Sequence, residues 1–274
     1  MDSKQIRVLV IGAHPDDCDI KAGGVAALYA QKGHLVKFVS ATNGDAGHHE
    51  MGGGPLAKRR NAEAQAAAEI IGIDYELLDN HDGELMPTLE NRYKIIRTIR
   101  EFRADLIMTH RPNDYHPDHR YTSMLVQDAA YMVTVPNICA LTPHLEKNPV
   151  IVYLSDNFRK PYPFTPDVVV DIDTVVNKKI DMLHCHVSQF YEWLPYNSGT
   201  LHLVPNSPNE RHEWLAERLR NRFRSIADNY REMLIELYGE EEGHSIQYAE
   251  AFESCEYGSR LNTDNLPILF PFYD

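Results

Sequence analysis

The chain has 274 residues, 43% of them hydrophobic and 24% charged, with a net charge of −13. These proportions describe a globular protein long enough for one large domain, and the acidic balance excludes a general affinity for nucleic acid or anionic membrane. No run approaches the ~18 apolar residues that span a bilayer; the four cysteines, Cys18, Cys139, Cys185 and Cys255, are scattered, as expected of reduced thiols in the cytoplasm.

Residues 6–11 form a continuous β-rich run ending at Gly12, the pattern of a strand buried on both faces; the run is also too short for a signal-peptide core. Residues 23–32 read as a helix capped by Gly33, 35–40 as the next strand, and 57–71 as a helix closed by Gly72. A third strand over 75–78, a helix over 91–102 and a fourth strand over 105–109 continue the alternation. Beyond His119 the pattern is helical through Met132, and further strands are predicted at 150–154 and 168–172, with a helix over 177–185. Residues 212–238 repeat an apolar residue every three or four positions, from Leu215 to Leu237, as one long helix with a stripe that packs on its own domain or offers a subunit interface; the first is favoured. Strands alternating with helices predict a single α/β domain over 1–274. It is Rossmann-like and doubly wound, with a mostly parallel sheet, helices on both faces, and a C-terminal extension of helix and strand.

One tripeptide occurs twice, in His14-Pro15-Asp16-Asp17 after the first strand and in His116-Pro117-Asp118-His119 after the fourth. In a doubly wound sheet those two carboxyl ends flank the crevice where ligands bind, so both motifs are predicted to share one cleft. Imidazole and carboxylate are ligands that zinc accepts in catalytic sites, which makes a metal hydrolase the leading hypothesis. Alone, either motif reads as a turn, with Asp16 or Asp17 capping the following helix; the facing second motif tips the balance towards chemistry.

Ala13 to Asp17, the Gly23-Gly24 pair and residues 116–119 resemble the signatures of the LmbE-like (PIG-L) deacetylase family. Weaker agreement comes from residues 42–47, from Arg60 to Glu63 as an Arg-x-x-Glu, from residues 186–190 as a His-x-Ser-Gln, and from a late strand over 248–252. The resemblance implies zinc held by His14, Asp17 and His119, with Asp16 as general base and His116 as oxyanion donor and source of the amine's proton. It further implies that Asp118 stands behind His116 or His119, and that Arg60 holds substrate hydroxyl or anionic groups. Helix periodicity alone does not separate Arg60 from Arg59, and Fe(II) or Co(II) fits the same ligands as zinc. The implied substrate is an N-acetylated, glucosamine-containing small molecule, and the implied assembly is a homotrimer or homohexamer.

The remaining candidates read more plainly. His48 and His49, beside Gly52-Gly53-Gly54, are expected as solvated residues of a mobile rim loop. Asp114 and Tyr115 fit a pocket wall and a plain turn equally well. His184 and His186 fall near a helix end, where structural histidines are common, and Cys18 reads as a small buried hydrophobe. Asp19 stands where the family carries Glu. Residues 131–164 match no family feature, and by the resemblance this region shapes the pocket. Rival readings are a metal- or sugar-binding module without turnover, a two-metal phosphoesterase and a conjugate amidase; a dinucleotide enzyme is excluded, because no Gly-x-Gly-x-x-Gly follows the first strand.

Overall fold

The computed structural model describes residues 5–273. Strand and helix alternate through β1 (Arg7–Gly12), α1 (Asp17–Gln31), β2 (Leu35–Ser40), α2 (Gly53–Ile71), β3 (Asp74–Leu77), α3 (Leu89–Phe102), β4 (Leu106–Thr109) and α4 (Pro117–Met132). Then come β5 (Val150–Leu154), β6 (Val168–Asp171), α5 (Val176–Cys185), a π-helical turn (Ser188–Trp193), α6 (Leu194–Asn197) and a 3₁₀ turn (Leu201–Leu203). The chain closes with α7 (Pro208–Asn229), α8 (Arg231–Tyr238), α9 (Glu240–Ser245), β7 (Ala249–Gly258) and α10 (Leu266–Leu269). Among the described residues no helix is long and apolar enough to cross a membrane.

The strands form one sheet in the order β3-β2-β1-β4-β5-β7-β6. The first five are parallel, and β7 runs antiparallel to both β5 and β6. Alternation along β1 explains why the sheet is covered on both faces. Val8 and Val10 join the core against α1 and α2, while Leu9 and Ile11 join the core against α3 and α4. Each such fully buried side chain contributes roughly 1.5–3 kcal/mol, so β1 is the spine that fixes where the crevice lies.

The Gly23-Gly24 pair has a packing cause. A Cβ on Gly24 would stand 2.8 Å from Ile172 Cγ2 and 3.0 Å from Glu250 Oε1. In its absence the buried Glu250 carboxylate on β7 accepts the backbone amides of Gly24 and Val25, both at 2.8 Å, and pairs with Lys179 of α5. This clamp ties the C-terminal strand to α1, the helix that carries the first motif.

Three boundaries differ from expectation. α1 begins at Asp17 and α2 at Gly53; Gly23 and Gly24 lie inside α1, where packing overrides their poor propensity, while Gly53 and Gly54 form the exposed first turn of α2. The helix expected over 212–238 breaks at Tyr230, whose φ of −118° is not helical. Its two halves follow different cores: Leu215, Leu219 and Phe223 pack with Ile180 and Leu183, and Leu234 packs with Phe164 and Val169. The stripe is therefore filled by its own chain, in agreement with the favoured reading.

Candidate active site

β1 and β4 are neighbours, with Ile11 opposite Thr109, so the segments leaving their carboxyl ends share the crevice at the strand-order reversal. A cleft of about 430 Å³ opens there, bordered by His14, Asp16, Asp17, His116 and His119. The turn after Gly12 is shaped by the backbone, the amides of Asp16 and Asp17 both reaching the His14 carbonyl. Asp17 Oδ2 accepts the amides of Ala13 and His14 at 3.1 and 2.8 Å. Asp16 occupies the N-cap position of α1 without a side-chain capping bond, which leaves its carboxylate to the cleft.

Three donor atoms converge. His14 Nδ1 lies 3.2 Å from His119 Nε2 and 3.4 Å from Asp17 Oδ2, and His119 Nε2 lies 3.4 Å from Asp17 Oδ2. Tetrahedral bonds of about 2.1 Å to one ion place ligand atoms about 3.4 Å apart, so this trio fits a metal. The far ring nitrogens are engaged by carboxylates. His14 Nε2 stands 3.2 Å from Asp82 Oδ1 and 3.4 Å from Asp118 Oδ2, and His119 Nδ1 stands 3.1 Å from Asp114 Oδ2. Carboxylates behind imidazoles fix ring orientation and raise ligand basicity. Burial alone would lower the His14 pKa, but Asp118, Asp17 and Asp82 outweigh it and raise the value well above 6.5. The centre is built to hold positive charge.

Asp118 is thus a correction. Expected behind His116 or His119, its side chain instead supports His14, and its Oδ2 also accepts the Gly83 amide at 2.7 Å. The cause is the helix start. α4 begins at Pro117 with His116 as N-cap, whose Nδ1 accepts the Asp118 amide at 3.2 Å. That leaves His116 Nε2 as the donor when the ring is neutral. Burial, then the charges of His14 and His119, lower the His116 pKa. Asp16 moves the other way: burial raises its pKa, and Arg60 only moderates the rise.

Arg60 is 2% exposed. Its Nη2 lies 3.3 Å from Asp16 Oδ1 and its Nη1 3.6 Å from Asp82 Oδ2, with Nη1 also donating to the Gly44 carbonyl. A Cβ on Gly44 would meet Nη1 at 2.6 Å, and Gly44 has φ +71°, so glycine is required for this approach. Arg59 turns away to a bidentate pair with Glu192, both contacts 2.7 Å. Glu63 accepts the Ser188 amide and hydroxyl at 3.0 and 2.6 Å, joining the Arg-x-x-Glu and His-x-Ser-Gln segments. His186 is fully buried, 3.2 Å from Asp19 Oδ2, beneath the first motif, while His184 bonds the Tyr191 hydroxyl at 2.6 Å. Cys18 is buried with Sγ towards the Val10 and Val39 carbonyls.

One loop expectation is overturned and another is narrowed. His48 is not solvated: its side chain is 3% exposed and bonds Glu192 at 2.8 Å, while His49 stacks on Tyr196 with centroids 4.0 Å apart. The rim loop is pinned to the π-helical turn. Residues 131–164 do not line the metal cleft itself: Arg100 gathers the carbonyls of Met132, Val133, Val135, Ile138, Cys139 and Thr142 and folds the first part of that segment onto α3, while Ser155, Asp156 and Asn157 border a neighbouring recess. The cleft wall comes instead from Gln189, Trp193, Leu194 and Asn197; π-helical turns recur at functional sites. Asp114 proves to orient His119, and Tyr115, 73% exposed, stands edge-on to His116 and His119.

Sequence reasoning missed Asp82 and His110. His110 Nε2 lies 3.2 Å from Asp17 Oδ2, and its ring stacks on His119 at 4.1 Å; burial and the His119 charge lower its pKa to about 4. Both follow the carboxyl ends of strands, β3 and β4, and that position was the available signal.

The PIG-L family, described as GlcNAc-PI de-N-acetylase, matches residues 9–130. Diacetylchitobiose deacetylase from Thermococcus kodakarensis is 34% identical over 207 residues, covering 69% of this chain and 74% of that protein. A 4-oxalmesaconate hydratase from Pseudomonas putida is 26% identical over 221 residues, covering 73% and 81%. The solved N,N'-diacetylchitobiose deacetylase from Pyrococcus horikoshii shares the fold with a TM-score of 0.69 at 24% identity, covering 92% of this chain and 84% of that one. With the family match spanning the first motif and the second, and with that 34% identity, the chain belongs to the PIG-L family.

Proposed function

We propose that the protein is a zinc-dependent amide hydrolase that removes an N-acetyl group from a glucosamine-containing small molecule. The observation that carries the reading is the mutual spacing of His14 Nδ1, Asp17 Oδ2 and His119 Nε2, 3.2–3.4 Å, in a cleft that also holds Asp16 and His116. When bound there, the ion supplies Lewis acidity and lowers the pKa of water. Asp16, ionised and steadied by Arg60, takes the proton of the attacking water. His116 Nε2–H donates to the carbonyl oxygen as negative charge develops. The departing amine takes a proton from Asp16, which received one from the water, or from His116 in the same cleft. Asp118 and Asp82 hold the His14 ring. Arg60, which pairs with Asp16 and also lines the cleft, steadies the base and stands where a substrate hydroxyl or anionic group would reach it. The deacetylases among the relatives support the acetyl group and the amino sugar.

The test is acetate release from N-acetylglucosamine and its oligomers by metal-stripped protein with and without added zinc. Zinc-restored release supports the reading; no release from any N-acetylated sugar, with zinc bound, refutes it. A second reading, hydration of an unsaturated acid, is favoured by the 26% identity to a hydratase over 81% of that protein; consumption of an unsaturated polycarboxylate without acetate release would select it.

A further inference from the structure

A second recess lies at the carboxyl end of β5, the strand beside β4. Its volume is about 60 Å³, and it is bounded by Lys21, Asp156, Arg222, Ser225, Asn229 and Tyr230 among others. That is room for a few water molecules or one small oxyanion. Lys21 is one helical turn beyond Asp17 on α1, hence on the same face, and its neighbour Ile20 lines the metal cleft. The two recesses therefore belong to the same edge of the sheet, where doubly wound folds bind ligands.

Two cations face this recess in a chain of net charge −13. Lys21 Nζ donates one hydrogen bond, to the Ser155 carbonyl at 2.6 Å, which leaves two of its three N–H groups. Among the described residues Arg222 forms no ion pair and no hydrogen bond through its guanidinium. Asp156, the one carboxylate on the wall, is already bound by Arg111 Nη1 and the Phe158 amide, both at 2.9 Å. Burial and the like charge of Arg222 bring the Lys21 pKa down to about 8. Arg222 stands at the exposed mouth of the recess, and an anion seated beside both cations would replace their mutual repulsion with attraction.

We propose that Lys21 and Arg222 form a subsite for an anionic group, a carboxylate or phosphate, carried by the substrate away from the bond that is cut. Ser225, Asn229 and Tyr230 supply neutral polar groups around it. Which bond is cut rests on the amide-hydrolase reading; that an anion is held rests on the recess alone.

The experiment compares kcat/KM for N-acetylglucosamine, N-acetylglucosamine 6-phosphate and N-acetylmuramic acid, with the zinc-loaded wild type, Arg222→Gln, Arg222→Lys and Lys21→Gln. Calorimetry with inorganic phosphate and with succinate runs in parallel. The expected result is a preference of at least about tenfold for one charged sugar over the neutral one, collapsing in Arg222→Gln and Lys21→Gln and partly kept in Arg222→Lys. The sugar preferred tells phosphate from carboxylate. Turnover with no preference for charge, or with a preference that survives both glutamine variants, overturns the subsite and leaves the hydrolase reading standing. No turnover on any sugar, but anion binding weakened about tenfold by Arg222→Gln, keeps the subsite and refutes the hydrolase. No turnover and anion binding equal in all variants refutes both. Melting curves identify a variant that fails to fold, in which case the other glutamine variant decides.

Discussion

The two His-Pro-Asp motifs sit at equivalent places, each past the carboxyl end of a central strand, yet the same residues do different things in them. In the first, α1 starts two residues beyond the proline, so His14 turns its Nδ1 to the centre and Asp16 faces the cleft. In the second, α4 starts on the proline itself, so His116 becomes the cap and Asp118 is drawn under His14 of the other motif. A shift of two residues in helix onset exchanges the roles of imidazole and carboxylate. Motif identity thus locates the chemistry, while helix register assigns it.

The comparison breaks most severely at the converging atoms. Replacing His14, Asp17 or His119 by Ala is expected to abolish zinc binding and reduce turnover to background, read by metal analysis and acetate release; a His119→Ala protein that retains its zinc removes that residue from the trio. Next is the buried pair beneath the first motif. Asp19 and His186 are both fully buried, and Asp19→Asn leaves a buried partner uncompensated, at a cost of about 3–5 kcal/mol in denaturant unfolding. Burial alone would lower the His186 pKa, but Asp19 and Asp16 carry it above the ordinary 6.5. The stabilisation from that charged pair is therefore complete below about pH 6.5 and declines as pH rises through the folded value, a trend absent from Asp19→Asn.

His116→Ala should lower kcat by about 10²–10³ with zinc retained and α4 weakened by about 1 kcal/mol through the lost cap. Unchanged kcat would remove the proposed donor. The smallest effect separates Arg60 as support from Arg60 as substrate ligand. Because burial raises the Asp16 pKa and Arg60 moderates the rise, activity should fall on acidification above the ordinary aspartate range. Arg60→Met should move that acid limb to still higher pH; a raised KM with the limb unmoved would leave Arg60 the substrate role alone.

The adjacency of β1 and β4, the cleft shared by the two motifs and the members of the central trio are legible because β1 and β4 are short apolar runs that can only be buried, and candidate ligands follow at their ends. Asp82 was not legible: its His81-Asp82-Gly83 turn looks like any polar loop until the fold brings it to His14 from β3. Which histidine Asp118 supports is not legible either, since two residues of helix register cannot be read from His-Pro-Asp alone. His48 and His49 were misjudged because their partners, Glu192 and Tyr196, lie far along the chain on the π-helical turn and α6. The break at Tyr230 was hidden because the stripe is continuous and only the two cores beneath it differ.

The exchange of roles is tested most directly by two matched variants, Asp16→Asn and Asp118→Asn, each measured for zinc affinity and for kcat at saturating zinc. Asp16→Asn should bind zinc normally and lose about 10²–10⁴ in kcat, whereas Asp118→Asn should weaken zinc binding by about 10–100-fold and recover much of its kcat when zinc is in excess. Equal behaviour of the two variants, or zinc loss in Asp16→Asn with normal affinity in Asp118→Asn, would contradict the account.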